Sequence, residues 1–416
     1  MYQTTILPNG ATILTLPIPG VRSAALGFFV GVGSRHEKAA ENGAAHFIEH
    51  MVFKGTGRRS AGDLAREMDA IGGQVNAYTT KEHTCFYARC LDEHLDRAAD
   101  LLLDMLFSSR FDQSDVEMER GVVLEEIGMY EDAPEDLVSE RLAAVVYKGS
   151  PLARPILGKA STLAPMTGHW LKAWQKEHYR PGNIVVSLAG SFTQRQLDDL
   201  CARLSQLEAG PAPTTRPAAY RPAVTAKRKA IEQNHLLLAF PAPNYLDPRR
   251  YQIQLMNAIF GGGCSSRLFQ EVREKRGLCY SVYSYVADHV DTGLLGVYTA
   301  ANRDQERAAY DAIRQTVLDY ADHGPTQEEL DRAREQAKAS LLLGQESVQA
   351  RMSQMGASRL LYGRVRTAEE ALAGYDAVTR EQLHALAQEI FRFENASLSA
   401  VGRVGSPEEY SKLLQG

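Results

Sequence analysis

Two histidines and a glutamate lie close together in a short segment near the start of the chain, which reads Gly43-Ala44-Ala45-His46-Phe47-Ile48-Glu49-His50-Met51. If this segment is helical, His46 and His50 are one turn apart on one face, and Glu49 lies beside them. Two neutral imidazoles at this spacing can bind one zinc ion, and an unligated carboxylate between them can accept a proton from water held by the metal. The segment therefore predicts His46 and His50 as metal ligands and Glu49 as a general base. The alternative is an ordinary amphipathic helix.

Further carboxylates lie in a region from about residue 92 to 146 in which helices are predicted. Glu119 and Glu126 are seven residues apart, so they share one helix face, and that face is more apolar than the usual surroundings of a glutamate. A carboxylate on the packed side of a helix needs a partner, and a cation or a metal ion is a natural one. Two glutamates on a solvated face are the alternative.

Strands are predicted on both sides of the histidine segment. Residues 4–7 and 11–16 flank a Pro-Asn-Gly turn and predict a hairpin, and the apolar run 24–32 predicts a strand that is buried on both faces. A glycine turn leads into a strand that ends at Thr79, and residues 84–91 are its predicted hairpin partner. The histidine segment is thus expected to be a helix set among the strands of one sheet.

The length of 416 residues predicts at least two domains. Residues 208–222 are rich in proline and small residues without periodicity, which is typical of a linker. We therefore predict an N-terminal domain (1–210), a linker (211–222) and a C-terminal domain (223–416).

The second half of the sequence resembles the first in the order of its predicted elements. With an offset of 204 residues, three positions coincide in each half, namely Leu64, Glu67 and Gly73 with Leu268, Glu271 and Gly277. The counterpart of the histidine segment, residues 251–259, contains neither histidine nor glutamate. Only the N-terminal domain is therefore predicted to bind a metal.

The composition excludes several classes of protein. The net charge of −5 argues against a nucleic-acid partner, and no apolar run approaches the roughly 20 residues of a membrane helix. The first residues lack a basic segment followed by an apolar one, so no secretion signal is predicted. An odd number of cysteines without metal-type spacing favours structural thiols in a reducing compartment over disulfides: Cys85, Cys90, Cys201, Cys264 and Cys279. A cytoplasmic protein is expected.

Taken with Glu119 and Glu126, the histidine segment resembles the pitrilysin-type zinc peptidases, or inverzincins, a family that includes insulin-degrading enzyme and the mitochondrial processing peptidase. His46-Phe47-Ile48-Glu49-His50 matches the family motif, whose order is the inverse of the commoner zinc-peptidase motif. Glu126, 76 residues past His50, is at the position of the family's third zinc ligand, and Glu119 matches its supporting glutamate.

The resemblance extends over nearly the whole chain. The segment from Arg273 to Tyr280 resembles the one whose arginine and tyrosine complete the family's active site, which implies that Arg273 and Tyr280 donate to the carbonyl or oxyanion of the substrate. Without the resemblance, a helix salt bridge and a half-buried strand aromatic would be favoured for these two residues. A further segment resembles the edge strand that pairs with bound peptide, and it implies these substrate-binding residues: Gly73, Asn76, Ala77, Tyr78 and Thr79.

The resemblance also implies a fold and an assembly. We expect an α+β fold with two structurally similar α/β domains, each a mostly antiparallel sheet with helices packed on it. In the short-chain branch of the family, which includes the mitochondrial processing peptidase, two chains form a clam shell around a closed chamber. This chain has the length of half a shell, so a homodimer is expected.

The predicted function is that of a zinc metalloendopeptidase, with one Zn²⁺ per chain, that cleaves peptides or unfolded polypeptide segments inside the chamber. The C-terminal domain would bind no metal and would supply the arginine and the tyrosine. A non-catalytic scaffold, or the partner subunit of a heterodimeric processing peptidase, is the alternative. A nucleotide-binding protein that uses residues 261–263 is a third hypothesis, although these glycines lack the Lys-Ser/Thr of a phosphate loop.

An acidic run begins at the third predicted ligand and comprises Glu125, Glu126, Glu131, Asp132, Glu135 and Asp136. If these groups face the substrate, they should favour peptides with lysine or arginine near the cleaved bond. A solvated acidic face without a role in substrate binding is the alternative.

Overall fold

Strands and helices alternate along the chain in the computed structural model, which describes residues 2–415. The strands are β1 (Gln3–Ile6), β2 (Thr12–Pro17), β3 (Ser23–Val30), β4 (Gln74–Thr79), β5 (Thr84–Leu91), β6 (Ile184–Gly190), β7 (Val224–Arg228), β8 (Gln233–Ala242), β9 (Ser281–Asp288), β10 (Gly293–Asn302) and β11 (Ser397–Gly402). The helices are α1 (Ala44–Met51), α2 (Ala61–Ala70), α3 (Leu95–Ser108), α4 (Gln113–Asp132), α5 (Pro134–Val146), α6 (Ala160–Leu163), α7 (Gly168–His178), α8 (Gln194–Ser205), α9 (Arg250–Gly261), α10 (Glu306–His323), α11 (Gln327–Gly344), α12 (Val348–Tyr362), α13 (Ala368–Asp376), α14 (Arg380–Ile390) and α15 (Pro407–Gln415).

The first sheet has the strand order β1-β2-β6-β3-β5-β4. Only β2 and β6 run parallel, and the other neighbours are antiparallel. Strand β3 lies near the centre and is almost entirely buried, as its continuous apolar run predicts. Strand β4 has a single neighbour, β5, so one side of its backbone faces the edge of the sheet.

Helix α12 covers one face of this sheet by packing on β3 and β6. The helix and the sheet approach closely because two glycines lie at their interface. A side chain on Gly27 of β3 would collide with Met352, and one on Gly356 of α12 would collide with the Phe29 ring. Ser187 of β6 adds a hydrogen bond of 2.8 Å to the Met352 carbonyl.

The second sheet has the strand order β7-β11-β8-β10-β9. Its first pair is parallel and the others are antiparallel, which matches five consecutive strands of the first sheet, β2-β6-β3-β5-β4, in both order and direction. The internal repeat predicted from the sequence is therefore present in the topology. The predicted mixed α/β architecture, with two similar and mostly antiparallel sheets, is confirmed.

The described residues form two compact units that are not continuous along the chain. The first unit comprises residues up to 127, 154–216 and 342–366, and the second comprises 128–153, 217–341 and the residues from 367 onward. One boundary between the units falls at residue 216, inside the predicted linker. Residues 128–153, from the N-terminal half of the chain, belong to the second unit, and residues 342–366, from the C-terminal half, belong to the first. Helix α12 thus belongs to the unit that carries the histidine segment.

Among residues 2–415, no helix combines the length and the apolar character needed to cross a bilayer. The five cysteines are free thiols, and Cys85 and Cys90 are buried.

Candidate metal centre

Helix α1 carries both histidines, and its N-terminus is fixed by a buried carboxylate. The helix starts after Gly43, whose φ of 100° is a left-handed conformation that favours glycine. The Glu37 carboxylate accepts hydrogen bonds from the N–H groups of Gly43 and Ala45 at 2.9 Å each, and from Asn42 Nδ2 at 3.0 Å. The first N–H groups of a helix have no partner within the helix, and the Glu37 side-chain oxygens accept from two of them. Glu37 therefore holds the start of the helix that presents the histidines.

The structure brings His46, His50 and Glu126 together. The imidazole rings lie 4.6 Å apart, and the Nε2 atom of each histidine is 3.5 Å from Glu126 Oε2. One potential ligand atom from each residue lies within 4.8 Å of the other two, and no other such group of His, Cys, Asp or Glu occurs between residues 2 and 415. Two imidazole nitrogens and one carboxylate oxygen are a donor set that zinc accepts in catalytic sites. The residues present thus fit a zinc ion.

The two histidines differ in how their second ring nitrogen is held. His50 Nδ1 lies 2.9 Å from Glu119 Oε1, and Lys54 Nζ lies 2.5 Å from Glu119 Oε2. Because a carboxylate can only accept, His50 Nδ1 must carry the proton, which leaves Nε2 free to bind a metal. Among the described residues, by contrast, the buried Nδ1 atom of His46 has no hydrogen-bond partner. The structure thus places Glu119 between His50 and Lys54, and no pattern in the sequence had indicated Lys54.

The pKa values of these groups are shifted by burial and by one another. Burial lowers the pKa of His46 to about 4, and the neighbouring His50 adds to this effect. Burial also opposes the charged form of His50, but the neighbouring carboxylates of Glu126 and Glu119 outweigh it and raise the pKa of His50. The proximity of His50 in turn lowers the pKa of Glu126. Glu126 is therefore ionised and His46 neutral near pH 7, as metal binding requires.

Glu49 lies next to these ligands without belonging to their cluster. Its Oε2 atom accepts a hydrogen bond of 2.5 Å from the Thr79 hydroxyl, at the end of β4. Burial raises the pKa of Glu49, although the hydrogen bond from Thr79 acts in the opposite direction. A carboxylate with a raised pKa is suited to taking up a proton and releasing it again near neutral pH.

Strand β4 presents backbone groups that are not bonded to another strand at the edge of the sheet. The Thr80 N–H donates to the His83 carbonyl. Along an antiparallel pair, residues alternately bond to the neighbouring strand and point away from it, so this bond shows which residues of β4 are bonded to β5. The N–H and C=O groups of Ala77 and Thr79 therefore point away from β5, toward the edge of the sheet. The Ala77 N–H is bonded to Asn76 Oδ1 at 2.8 Å, so an incoming strand must displace this side chain to reach it.

The other residues predicted to bind substrate differ in their surroundings. Tyr78 points away from the Glu49 side of the strand, and its ring contacts the His83 ring edge-on at 5.7 Å. Gly73 precedes β4, and a side chain there would collide with the Arg89 carbonyl of β5. Gly73 thus permits the close pairing of the two strands.

Arg273 and Tyr280 lie together in the second compact unit, whereas the predicted metal ligands belong to the first. The Arg273 guanidinium lies 4.5 Å from the centre of the Tyr280 ring and 4.7 Å from that of Phe269. Arg273 is in a π-helical turn, Phe269–Glu274, a conformation that is often found at functional sites. Tyr280 precedes β9 and is 75% exposed, so it is not the half-buried strand aromatic that the residues alone suggested.

Part of the acidic run is paired within the second unit. Asp132 forms an ion pair of 2.7 Å with Lys229, and Glu135 accepts a hydrogen bond from the Tyr283 hydroxyl. These contacts reduce the negative charge that the run could present to a basic substrate.

Two family models match the chain. The model described as insulinase, peptidase family M16, matches residues 12–160, and the model described as the peptidase M16 inactive domain matches residues 166–337. Together they cover well over half of the chain. The chain belongs to peptidase family M16. His46, Glu49, His50 and Glu126 all lie within the first match, and Arg273 and Tyr280 lie within the second.

Curated relatives of this M16 chain are described as zinc proteases. The uncharacterized zinc protease YmxG of Bacillus subtilis is 40% identical over 407 residues, which cover 98% of this chain and 99% of the relative. An uncharacterized zinc protease of Streptomyces coelicolor is 40% identical over 410 residues, covering 96% of this chain and 89% of the relative. Both matches cover nearly the whole of this chain and most of each relative.

Solved structures share the fold. A peptidase M16 inactive domain from Pseudomonas fluorescens superposes with a TM-score of 0.90 at 24% identity, and 98% of each chain is covered. A protease from Helicobacter pylori also gives a TM-score of 0.90, at 20% identity, with 97% of this chain and 99% of that chain covered.

Proposed function

We propose that this chain is a zinc-dependent endopeptidase that hydrolyses peptides or unfolded polypeptide segments. The observation that carries the proposal is the convergence of His46, His50 and Glu126 beside Glu49. Membership of family M16 and the description of relatives as zinc proteases support it.

His46, His50 and Glu126 would hold the zinc ion, one per chain. Zinc supplies Lewis-acid polarisation of a carbonyl and lowers the pKa of water. Glu49 acts as the general base by accepting a proton from the attacking water at a carboxylate oxygen, and it later passes that proton to the leaving amine. Its raised pKa suits both transfers.

The substrate would bind as an added strand along β4. An extended peptide can form main-chain hydrogen bonds with the edge-facing groups of Ala77 and Thr79 whatever its sequence is. Thr79 also contacts Glu49, so a peptide on this edge lies next to the general base. Broad sequence specificity follows from this mode of binding.

Arg273 and Tyr280 are proposed to donate hydrogen bonds to the carbonyl or oxyanion of the substrate. A homodimer that encloses a chamber is proposed as the assembly. Both proposals derive from the family resemblance, and analytical ultracentrifugation of the purified protein tests the second.

A direct experiment combines metal analysis with peptide digestion. The purified protein is assayed for zinc by mass spectrometry, and it is then incubated with a mixed peptide library whose products are sequenced. We expect about one zinc ion per chain and internal cleavage that stops on addition of a chelator and returns with zinc. Glu49→Gln, loaded with zinc to the same level, is the matched inactive control.

The alternative is a non-catalytic scaffold or partner subunit. A metal-free protein that leaves every peptide intact, even after zinc is added, would favour this alternative. Digestion that continues in zinc-loaded Glu49→Gln would instead point to a contaminating peptidase.

A further inference from the structure

We propose that Lys54 is a positioning residue for the metal centre. It holds the Glu119 carboxylate against His50 and thereby keeps His50 Nε2 directed at the position of the metal. This inference rests on the zinc binding in the proposed function, and it assigns a role to a lysine that the sequence motif did not single out.

The chain of contacts gives each oxygen of Glu119 one partner. Oε1 lies 2.9 Å from His50 Nδ1 and Oε2 lies 2.5 Å from Lys54 Nζ. The Glu119 side chain is only 6% exposed, so its charge has little access to water. A buried carboxylate is costly without a cation, and Lys54 supplies that cation. Lys54 therefore holds the Glu119 carboxylate in the position where Oε1 meets His50 Nδ1.

The backbone fixes the position of Lys54 relative to the histidines. After the last residue of α1 the chain turns, with the Phe53 N–H bonded to the His50 carbonyl at 3.3 Å and the Lys54 N–H bonded to the Met51 carbonyl at 3.0 Å. The lysine is thus attached to the helix that carries the ligands. Its side chain reaches Glu119 on α4, which also carries Glu126. Lys54 consequently joins the two helices that supply all three proposed ligands.

His46 has no equivalent support, since its buried Nδ1 atom lacks a partner among the described residues. Only one of the two imidazoles is therefore oriented through a carboxylate. Loss of Lys54 should loosen His50 and leave His46 and Glu126 in place. We expect the zinc affinity to fall by roughly 10- to 100-fold, as is typical when the partner of a metal ligand is lost. Zinc binding is therefore weakened and not abolished.

The test compares Lys54→Met with the conservative variant Lys54→Arg. Zinc affinity is measured by competition with a chelator, and exchange of the His50 Nδ1 proton is followed by NMR in the zinc-loaded protein. We expect Lys54→Met to bind zinc about 10 to 100 times more weakly and to exchange this proton faster. Lys54→Arg should keep a zinc affinity and a rate of proton exchange close to those of the wild type, because it retains the charge.

The matched control is Lys38→Met, which removes a lysine from an exposed pair with Glu41 at 3.1 Å. It should change neither the zinc affinity nor the exchange of the His50 proton. A second test covers the case in which Lys54→Met does not fold. Because Lys54 acts through Glu119, Lys54→Gln should weaken zinc binding in the wild type and cause no further loss in a Glu119→Gln background, whereas an equal loss in both backgrounds would overturn the role of Lys54.

The outcomes separate this inference from the proposed function. Wild-type protein that binds no zinc would refute the proposed function itself. Wild-type protein that binds zinc, together with a Lys54→Met variant of equal affinity and unchanged proton exchange, would overturn only the role of Lys54.

Discussion

The Thr79 hydroxyl donates a hydrogen bond of 2.5 Å to Glu49 Oε2, which connects the edge strand of the first sheet to the proposed general base. Glu49 is therefore held by a residue outside its own helix, and it lies outside the cluster of proposed metal ligands.

Replacing Glu49 with glutamine should abolish cleavage and leave zinc bound. The amide cannot accept the proton of the attacking water, so we expect kcat to fall by about 10²- to 10⁴-fold. Zinc content and peptide turnover are measured on the same preparation. Near-normal turnover in a zinc-loaded variant would show that another group is the base.

Glu126→Gln should lower the affinity for zinc, because it removes one of three converging ligands. The neighbouring Glu125 is exposed and lies outside the ligand cluster, so Glu125→Gln is a matched control that should bind zinc normally. Both variants are titrated against a zinc chelator. Loss of metal in the Glu125 variant alone would show that Glu125, and not Glu126, is the third ligand.

Ala77→Pro should raise KM for unrelated peptides to a similar extent. Proline removes the edge-facing N–H and distorts the strand, whereas Ala77→Gly keeps this donor and serves as the control. KM is measured for several peptides that share no sequence. An increase confined to one of them would argue against binding by strand addition.

Tyr280→Phe should lower kcat with little effect on zinc content, if Tyr280 donates to the oxyanion. One such donor is typically worth about 2.7 to 4 kcal/mol, which is about 10²- to 10³-fold in kcat. Tyr283→Phe is a matched control, since the Tyr283 hydroxyl donates to Glu135 within its own unit. Equal activities of the Tyr280 variant and the wild type would remove Tyr280 from the proposed mechanism.

The buried Glu37 should make stability depend on pH. Burial raises its pKa to about 7 from an ordinary value of 4.5, although Asn42, Ala45 and Gly43 donate hydrogen bonds that favour the charged form. Because the pKa is higher in the folded state, Glu37 contributes fully to stability below about pH 4.5, and this contribution is lost as the pH rises through about 7. The loss is about 3 kcal/mol, from the size of the pKa change.

The measurement is the free energy of unfolding of metal-free wild type and Glu37→Gln across this pH range. The difference, wild type minus variant, should fall as the pH rises, because glutamine does not titrate. A difference that stayed constant or grew with pH would contradict the high pKa of Glu37.

Much of the first sheet could be predicted from local patterns in the sequence. Strand β5 has the predicted limits, 84–91, because an alternating apolar pattern follows a tight turn. The prediction that His46 and His50 lie on one face depended only on α1 being a helix, because the two residues are four positions apart. Glu126 is different, since no local rule brings a residue 76 positions further on back to the same point. Family resemblance supplied that residue, and the structure brings the three potential ligand atoms together.

Contacts between distant segments could not be predicted. Lys54 follows the end of α1, where neither helical periodicity nor a motif indicates which way its side chain points, and its partner Glu119 is far away in sequence. The hydrogen bond from the Ala77 N–H to Asn76 Oδ1 depends on a side-chain rotamer, and the exposure of Tyr280 depends on where β9 begins. Composition and periodicity carry no information on these details.

The exchange of segments between the units has a consequence for how the chain can be synthesised and divided. The face of the first sheet formed by Leu14, Ala25 and Phe29 is covered by Met352 and Met355 of α12. During translation this apolar face stays bare until α12 leaves the ribosome, long after the last strand of the sheet has emerged. A fragment that stops at residue 210 would keep all three proposed zinc ligands and still lack this cover. Such a fragment should be prone to aggregation, and adding residues 342–366 as a separate peptide should restore its solubility.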